Sequence, residues 1–291
     1  MFRSTVRLTI SIILALFCTN SLADSPALWK VSDEDTNIHI LGSVHVLKPG
    51  TIWLTDDLQE IVSNINSLYM EVSAQQRSSA ILQPLFSQFG VLPEGDVLKN
   101  HLPVALYESL ASEFNAMGLQ EQIYAQFKPW MAGTIYTSFR FMRLGYNPAA
   151  GVEASLVSLA RAQGKPIKGF ETAAFQVDLL SQMTGDQQIA LLDRSLIYKD
   201  RLEAYMAEMT SAWTRGDLDA LEIIFDRAVE KAPELKERLL TSRNRDWVKR
   251  IQEILDKPGN YLVAVGTAHL VGDQSLFQFL DEASITVTRI H

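Results

Sequence analysis

Two apolar runs near opposite ends of the chain each stop at the same pattern, Gly-x-x-His. Asn37-Ile38-His39-Ile40-Leu41 leads into Gly42-Ser43-Val44-His45, and Tyr261-Leu262-Val263-Ala264-Val265 leads into Gly266-Thr267-Ala268-His269. Short runs rich in Ile, Leu and Val and closed by glycine read as sheet strands. A histidine just past the C-terminal end of a strand sits where open α/β sheets build their sites. The repeat therefore asks for a fold in which both chain ends supply strands to one sheet, so that the two histidines meet.

The intervening sequence fits such a sheet with helical material inserted into it. Residues 27–31 read as an edge strand. Residues 54–64 read as a helix with Thr55 and Asp56 as capping candidates, and Ser67-Leu68-Tyr69-Met70-Glu71-Val72 reads as the next strand. Strand, helix, strand in this order is the signature of a parallel pair. From about 79 to 142 the apolar residues recur at helical spacing, as in Leu102, Leu106 and Leu110. A short helix over 156–163 precedes a strand that ends at Glu171. A second helical block over 174–255 is broken by Gly185, Gly216 and Pro233. Residues 276–283 return to helix, and 285–290 alternate as a last strand. The expected fold is α/β, with α+β as the alternative: a central mixed sheet built from both chain ends, with large helical insertions over about 79–150 and 174–255. It forms a single domain over 24–291.

The first 23 residues read as an address. Arg3 and Arg7 precede a short apolar core, and Ser21-Leu22-Ala23 fits a small-x-small cleavage site. The core is about half of the roughly 20 residues that a membrane span requires, so no transmembrane anchor is expected in the mature chain. The expected location is across the inner membrane, in the periplasm. The single cysteine, Cys18, lies in this segment, which excludes disulfides and thiolate catalysis from the mature protein. A formal charge of −8 argues against nucleic acid as a partner, because such binders carry a basic footprint.

Few residues remain that can do chemistry. Of the five histidines, His45 and His269 are the natural pair. His39 belongs to a strand face, His101 to an exposed helix start and His291 to the chain end. A neutral imidazole ligates Zn, Mn, Co or Fe, and a stable site asks for three or more protein ligands. Carboxylates at other strand ends, Glu71 and Glu171, are the candidates to complete it. Glu71 closes an apolar strand, and a carboxylate is rarely buried without a partner; a place on a wet strand face is the other reading. Glu171 either joins the site or caps the helix that follows. Glu153, in Gly151-Val152-Glu153, stands before a helix and is expected to cap it. Arg243 shares a helix face with Trp247, where it can meet the carboxylates, a substrate anion or an ordinary surface partner. The chain contains no His-Glu-x-x-His helix, no Gly-x-Ser-x-Gly elbow and no phosphate-binding glycine loop.

Taken in order, several pieces resemble the TraB/GumN family, which includes the TIKI-like metalloproteases. They are Leu41-Gly42-Ser43-Val44-His45, Glu71 after an apolar strand, Gly151-Val152-Glu153, Gly169-Phe170-Glu171-Thr172, Arg243-Asn244 with Trp247, and Gly266-Thr267-Ala268-His269-Leu270 with Gly272. The family's usual second motif is closer to Gly-Ala-Gly-His-Leu, so Thr267-Ala268 adds bulk beside the histidine. The resemblance implies a hydrolase, peptidase-like, acting on a peptide or small-molecule substrate. It implies a divalent ion (Mn, Co or Zn) held by His45, His269 and Glu71. Catalytic roles fall to Glu71, Glu171 and Arg243, with ligand and base not divided between the two glutamates. The alternative function is a non-catalytic exported protein that binds haem, metal or an envelope ligand through the same histidines.

Overall fold

The structure is a computed structural model that describes residues 25–229 and 233–291. The proposed address segment, residues 1–23, lies outside them. The chain runs β1 (Leu28–Ser32), β2 (Thr36–Ser43), α1 (Asp56–Asn64) and β3 (Ser67–Val72). The first insertion follows, with α2 (Ser79–Phe89), α3 (Val104–Ala116), α4 (Glu121–Tyr124), α5 (Pro129–Arg143) and α6 (Val152–Ala162). After β4 (Ile167–Glu171) come α7 (Ala173–Ser181), α8 (Gly185–Ile197), α9 (Leu202–Thr214), α10 (Leu218–Val229), α11 (Pro233–Lys236) and α12 (Ser242–Leu255). The chain closes with β5 (Gly259–Gly266), α13 (Leu276–Glu282) and β6 (Thr288–Arg289).

The six strands form one sheet in the order β4-β3-β5-β2-β1-β6. The first four are mutually parallel, whereas β1 runs antiparallel to both β2 and β6. The sheet is thus mixed, built from both chain ends and covered by helices, as an α/β fold. Successive residues of a strand face opposite ways, and both directions are apolar here. Leu41, Leu68, Met70, Leu262 and Ala264 face a core shared with α1, α6 and α9. Ile38, Ile40, Tyr69, Val263 and Val265 face a second core against α12 and α13. Burial on both faces explains the unbroken apolar run of β5 and its central place.

Three local expectations change. β2 and β3 are parallel but do not touch, because β5 lies between them; its doubly apolar run fills the middle of the sheet. β1 is not the edge, since Trp29 pairs with Arg289 and Lys30 with Thr288 of β6. The last strand is far shorter than 285–290, for only these two residues pair with β1. Thr55 does cap α1, its hydroxyl accepting from the Leu58 amide at 3.3 Å.

The topology sets the site. From β2 the chain moves outward to β3 and then β4, with α1 and α6 on one face. It then reverses and returns to β5 after α12, on the other face. Ligand crevices form outside the carboxyl ends of strands where such a reversal occurs. At this point Ser43 of β2 stands opposite Gly266 of β5, so the two Gly-x-x-His turns lie side by side.

α6 is docked directly onto the first turn. The Val152 amide donates to the Val44 carbonyl at 3.1 Å. A Cβ on Gly151 would lie 2.2 Å from the His45 carbonyl oxygen, a distance that no side chain tolerates. Gly151→Ala should therefore push α6 off the β2 turn and lower stability by about 2 kcal/mol, the scale of overpacking in a tight core. Urea denaturation of the variant beside the wild type measures this.

Candidate functional site

The two histidines converge. A Cβ built on Gly266 would lie 3.0 Å from Glu71 Oε1, 3.7 Å from His269 Cδ2 and 4.0 Å from His45 Nε2. One small volume, kept open by the missing side chain of Gly266, is thus bordered by both imidazoles and one carboxylate. Two of its borders, His45 and Glu71, also line a cleft of about 480 Å³ whose walls include Glu153, Arg77 and Arg161 but not His269.

Each imidazole is held from behind through Nδ1. His45 Nδ1 lies 2.6 Å from Glu153 Oε1, which also accepts from the Ser43 hydroxyl at 2.6 Å. His269 Nδ1 lies 2.6 Å from Asn244 Oδ1, while the Asn244 amide nitrogen donates to the Gln274 carbonyl at 2.9 Å. A carboxylate and an amide oxygen only accept, so both Nδ1 atoms carry the proton. In neutral His269 the free lone pair is then on Nε2. Such outer hydrogen bonds fix the tautomer and aim of metal-binding histidines.

The two rings sit in opposite environments. The His45 side chain is 67% exposed, and the Glu153 carboxylate beside it raises its pKa to about 9. The His269 side chain is only 3% exposed; burial pushes its pKa down to about 3, with the Arg243 charge adding to the effect. It is therefore neutral in the fold, packed on the Trp247 ring with centroids 4.3 Å apart.

Arg243 is the hub behind the glutamates. Its Nε and Nη2 reach the two oxygens of Glu171, each at 2.8 Å, and Nη2 also donates to Glu71 Oε2 at 2.6 Å. Nη1 donates to the Leu239 carbonyl at 2.7 Å and to His269 Nε2 at 3.0 Å. All five guanidinium hydrogens are thereby engaged. Leu239 lies in a π-helical turn, Glu237–Thr241, that leads into α12; such widened turns are frequent at functional sites.

The two glutamates differ in what they have left. Glu171 accepts from Arg243 through both oxygens, from the Trp247 indole at 2.8 Å and from the Gln176 amide at 3.2 Å. Glu71 accepts from Arg243 and Gln176 on Oε2, but on Oε1 only from the Gly266 amide at 2.8 Å. Its Oε1 therefore keeps acceptor capacity beside the cleft, 3.8 Å from His269 Nε2. Burial opposes ionisation of Glu71, yet the Arg243 guanidinium, His45 and the Gly266 amide hold it well below the usual carboxylate range. Burial likewise opposes ionisation of Glu153, and His45 with the Ser43 hydroxyl overcomes it.

The strand-end candidates His45, His269, Glu71 and Glu171 and the helix candidate Arg243 are thus brought together. Glu153 was expected only to cap a helix; it lies in the first turn of α6 but reaches back to His45. Its sole sequence signal is its place in Gly151-Val152-Glu153. The sequence signal of Asn244 is its place in Arg243-Asn244, and Gln176 carries none. The bulk of Thr267 is taken up between strands, where its hydroxyl donates to the Ser43 carbonyl at 2.9 Å. His39 lies on a strand face with a buried, unpartnered Nδ1, and His101 pairs with Asp96 at 2.7 Å away from the cleft.

The donors fit a divalent ion in kind once His45, a cation below about pH 9, releases its Nε2 proton, because an imidazole ligand must be neutral: two imidazoles held through Nδ1 and one carboxylate oxygen around a glycine-opened space. They are not closed into a coordination group. Among the described residues no cluster of three or more His, Cys, Asp or Glu side chains is arranged to hold a metal ion, and an Arg243 N–H faces the His269 lone pair.

Comparison with known proteins places these residues in a wider set. The family model described as the TraB/PrgY/gumN family matches residues 27–289. The protein described as "Uncharacterized protein YbaP" from Escherichia coli (strain K12) is 24% identical over 255 residues, covering 88% of this chain and 92% of the relative. Its namesake from Shigella flexneri matches to the same extent. No solved structure matches the chain.

Two measurements test the electrostatics. Arg243→Met leaves two buried carboxylates without their cation and should cost about 3 kcal/mol or more in chemical denaturation, as when one partner of a buried pair is removed. The pH profile has two limbs. Between pH 6.5 and about 3 the unfolded chain protonates His269, which the fold keeps neutral, so stability falls with acid. Below pH 4.5, Glu71 and Glu153 add to the loss as they are protonated. His45 acts in the opposite sense: its contribution is full below pH 6.5 and is lost as pH rises through about 9. That limb is the shallower, because water screens an exposed pair. Denaturation from pH 3 to 10 should peak near pH 6.5, and His45→Ala should flatten the alkaline side.

Proposed function

This chain belongs to the TraB/PrgY/gumN family, and from its cleft we propose a metal-dependent hydrolase, peptidase-like, acting on a peptide or small-molecule substrate. The observation that carries this reading is the matched pinning of His45 and His269 through Nδ1 around the space beside Glu71 Oε1. His45, His269 and Glu71 would hold the ion, with Mn, Co and Zn as candidates. A bound divalent ion lowers the pKa of water and polarises a carbonyl.

The chain's own residues supply the rest. Glu153 and Asn244 keep the Nδ1 protons in place and fix the direction of each ring. Gln176 and Arg243 hold Glu71 by Oε2, which leaves Oε1 toward the cleft. Arg243 keeps Glu71 ionised, and Glu171 keeps Arg243 in position against Trp247. With every donor of Arg243 engaged, its part in this reading is to brace the carboxylates. Loading of His269 Nε2 requires that the hydrogen bond from Arg243 yields. That contact is also what favours a second reading, a non-catalytic binding protein whose resting site is held by charge pairs.

Export belongs to the same proposal. The sequence of the first 23 residues supports it, and no helix among the described residues is long and apolar enough to cross a membrane.

Elemental analysis of protein purified without added metal, followed by a peptide-library cleavage assay with Mn, Co and Zn, separates the readings. Metal-dependent cleavage that drops by at least about 100-fold in the exposed variant His45→Ala is expected. Glu153→Gln should weaken metal affinity by about 10- to 100-fold, the usual effect of losing an outer partner. Bound haem or metal without turnover would favour the binding protein, and full activity in His45→Ala would overturn the hydrolase.

A further inference from the structure

The cleft carries two positive charges that nothing in the chemistry above uses. Arg77 follows β3 in the turn before α2, and Arg161 lies in the last turn of α6. Both are exposed, both line the same cleft as His45 and Glu71, and among the described residues neither takes part in an ion pair. The side chain of Arg77 folds back so that Nη2 stands 3.7 Å from Met70 Sδ. A thioether is a weak acceptor, so this guanidinium is placed in the cleft without a strong partner.

The acids of the cleft do not compensate these charges. Glu153 is taken by His45 and Ser43, and Glu71 by Arg243, Gln176 and the Gly266 amide. Much of the remaining wall is apolar: Val46, Met70, Val72, Val157 and Ala264. Low-dielectric walls around uncompensated charge focus the field and attract a counter-ion. A guanidinium presents paired donors that match the oxygens of a carboxylate or phosphoryl group.

We propose that Arg77 and Arg161 form an oxyanion-binding subsite on the cleft wall, which selects substrates carrying a carboxylate or phosphoryl group close to the bond that meets His45 and Glu71. The subsite rests on the hydrolytic reading of the cleft for its purpose but not for its binding chemistry. A substrate anchored there by its charged end would lay the adjoining bond along the apolar wall toward the strand ends. The selection would act against uncharged analogues, which leave the two guanidinium groups without a partner.

Isothermal titration of the purified chain with acetyl-Ala-Ala-Ala, with its C-terminal amide and with inorganic phosphate tests this. The free acid should bind about tenfold more tightly than the amide, the scale of one charge-assisted contact. Added salt should shrink the difference. Arg77→Ala and Arg161→Ala should each remove most of the preference, and the double variant all of it, with amide affinity and melting temperature unchanged. Phosphate binding that disappears in the double variant, without an acid preference, keeps the subsite and assigns it to phosphoryl groups. Equal affinity for acid and amide with no phosphate binding would overturn the subsite, as would anion binding that survives in the double variant. Because the readout is binding, absent turnover with the preference intact would overturn the hydrolase and leave the subsite standing.

Discussion

The buried guanidinium of Arg243 ties together four separate parts of this molecule. Its five donors join α12 to the last residue of β4, to β3, to the turn after β5 and to its own preceding π-helical turn. Removing a charge from water is expensive, and pairing often does little more than break even. The network therefore matters less for total stability than for position. Each acceptor has a fixed place relative to one rigid planar group, so strand ends from distant parts of the sequence keep a common register at the cleft.

That arrangement also divides the labour between two chemically identical glutamates. Glu171, with both oxygens engaged, serves as the counter-charge. Glu71 is held by one oxygen and leaves the other beside the histidines. The division arises from which strand each ends: β3 is next to β5 and its glycine turn, whereas β4 is one strand further out. A similar asymmetry separates the histidines. His269 lies under Trp247 and is kept neutral by burial, while His45 stands at the cleft mouth beside a carboxylate.

Much of the frame was legible in the sequence because it rests on local patterns. Apolar runs closed by glycine mark β2 and β5, and the helical spacing marks the insertions. The meeting of His45 with His269 follows from placing both runs in one sheet. What was not legible depends on tertiary contact. Glu153 has all the features of a helix-start acid, and only the docking of α6 on the β2 turn turns it toward His45. Asn244 stands out only as the neighbour of Arg243 in the sequence, and its hold on the His269 ring shows only once the turn after β5 packs against it. The insertion of β5 between β2 and β3 escapes a strand–helix–strand reading, which treats successive strands as neighbours.

The central place of β5 has a kinetic side. The strand that completes the parallel sheet comes almost last in the chain, and its neighbours β2 and β3 come near the beginning. Closing that contact spans most of the sequence, and such non-local pairings form slowly, since loop entropy is lost before the contact rewards it. Until β5 enters, β2 and β3 expose two facing strand edges. The turn that carries His269 and the Gly266 amide has no place to sit. Closing the sheet therefore also assembles the cleft, since without β5 the parallel sheet lacks its centre and the site its glycine turn.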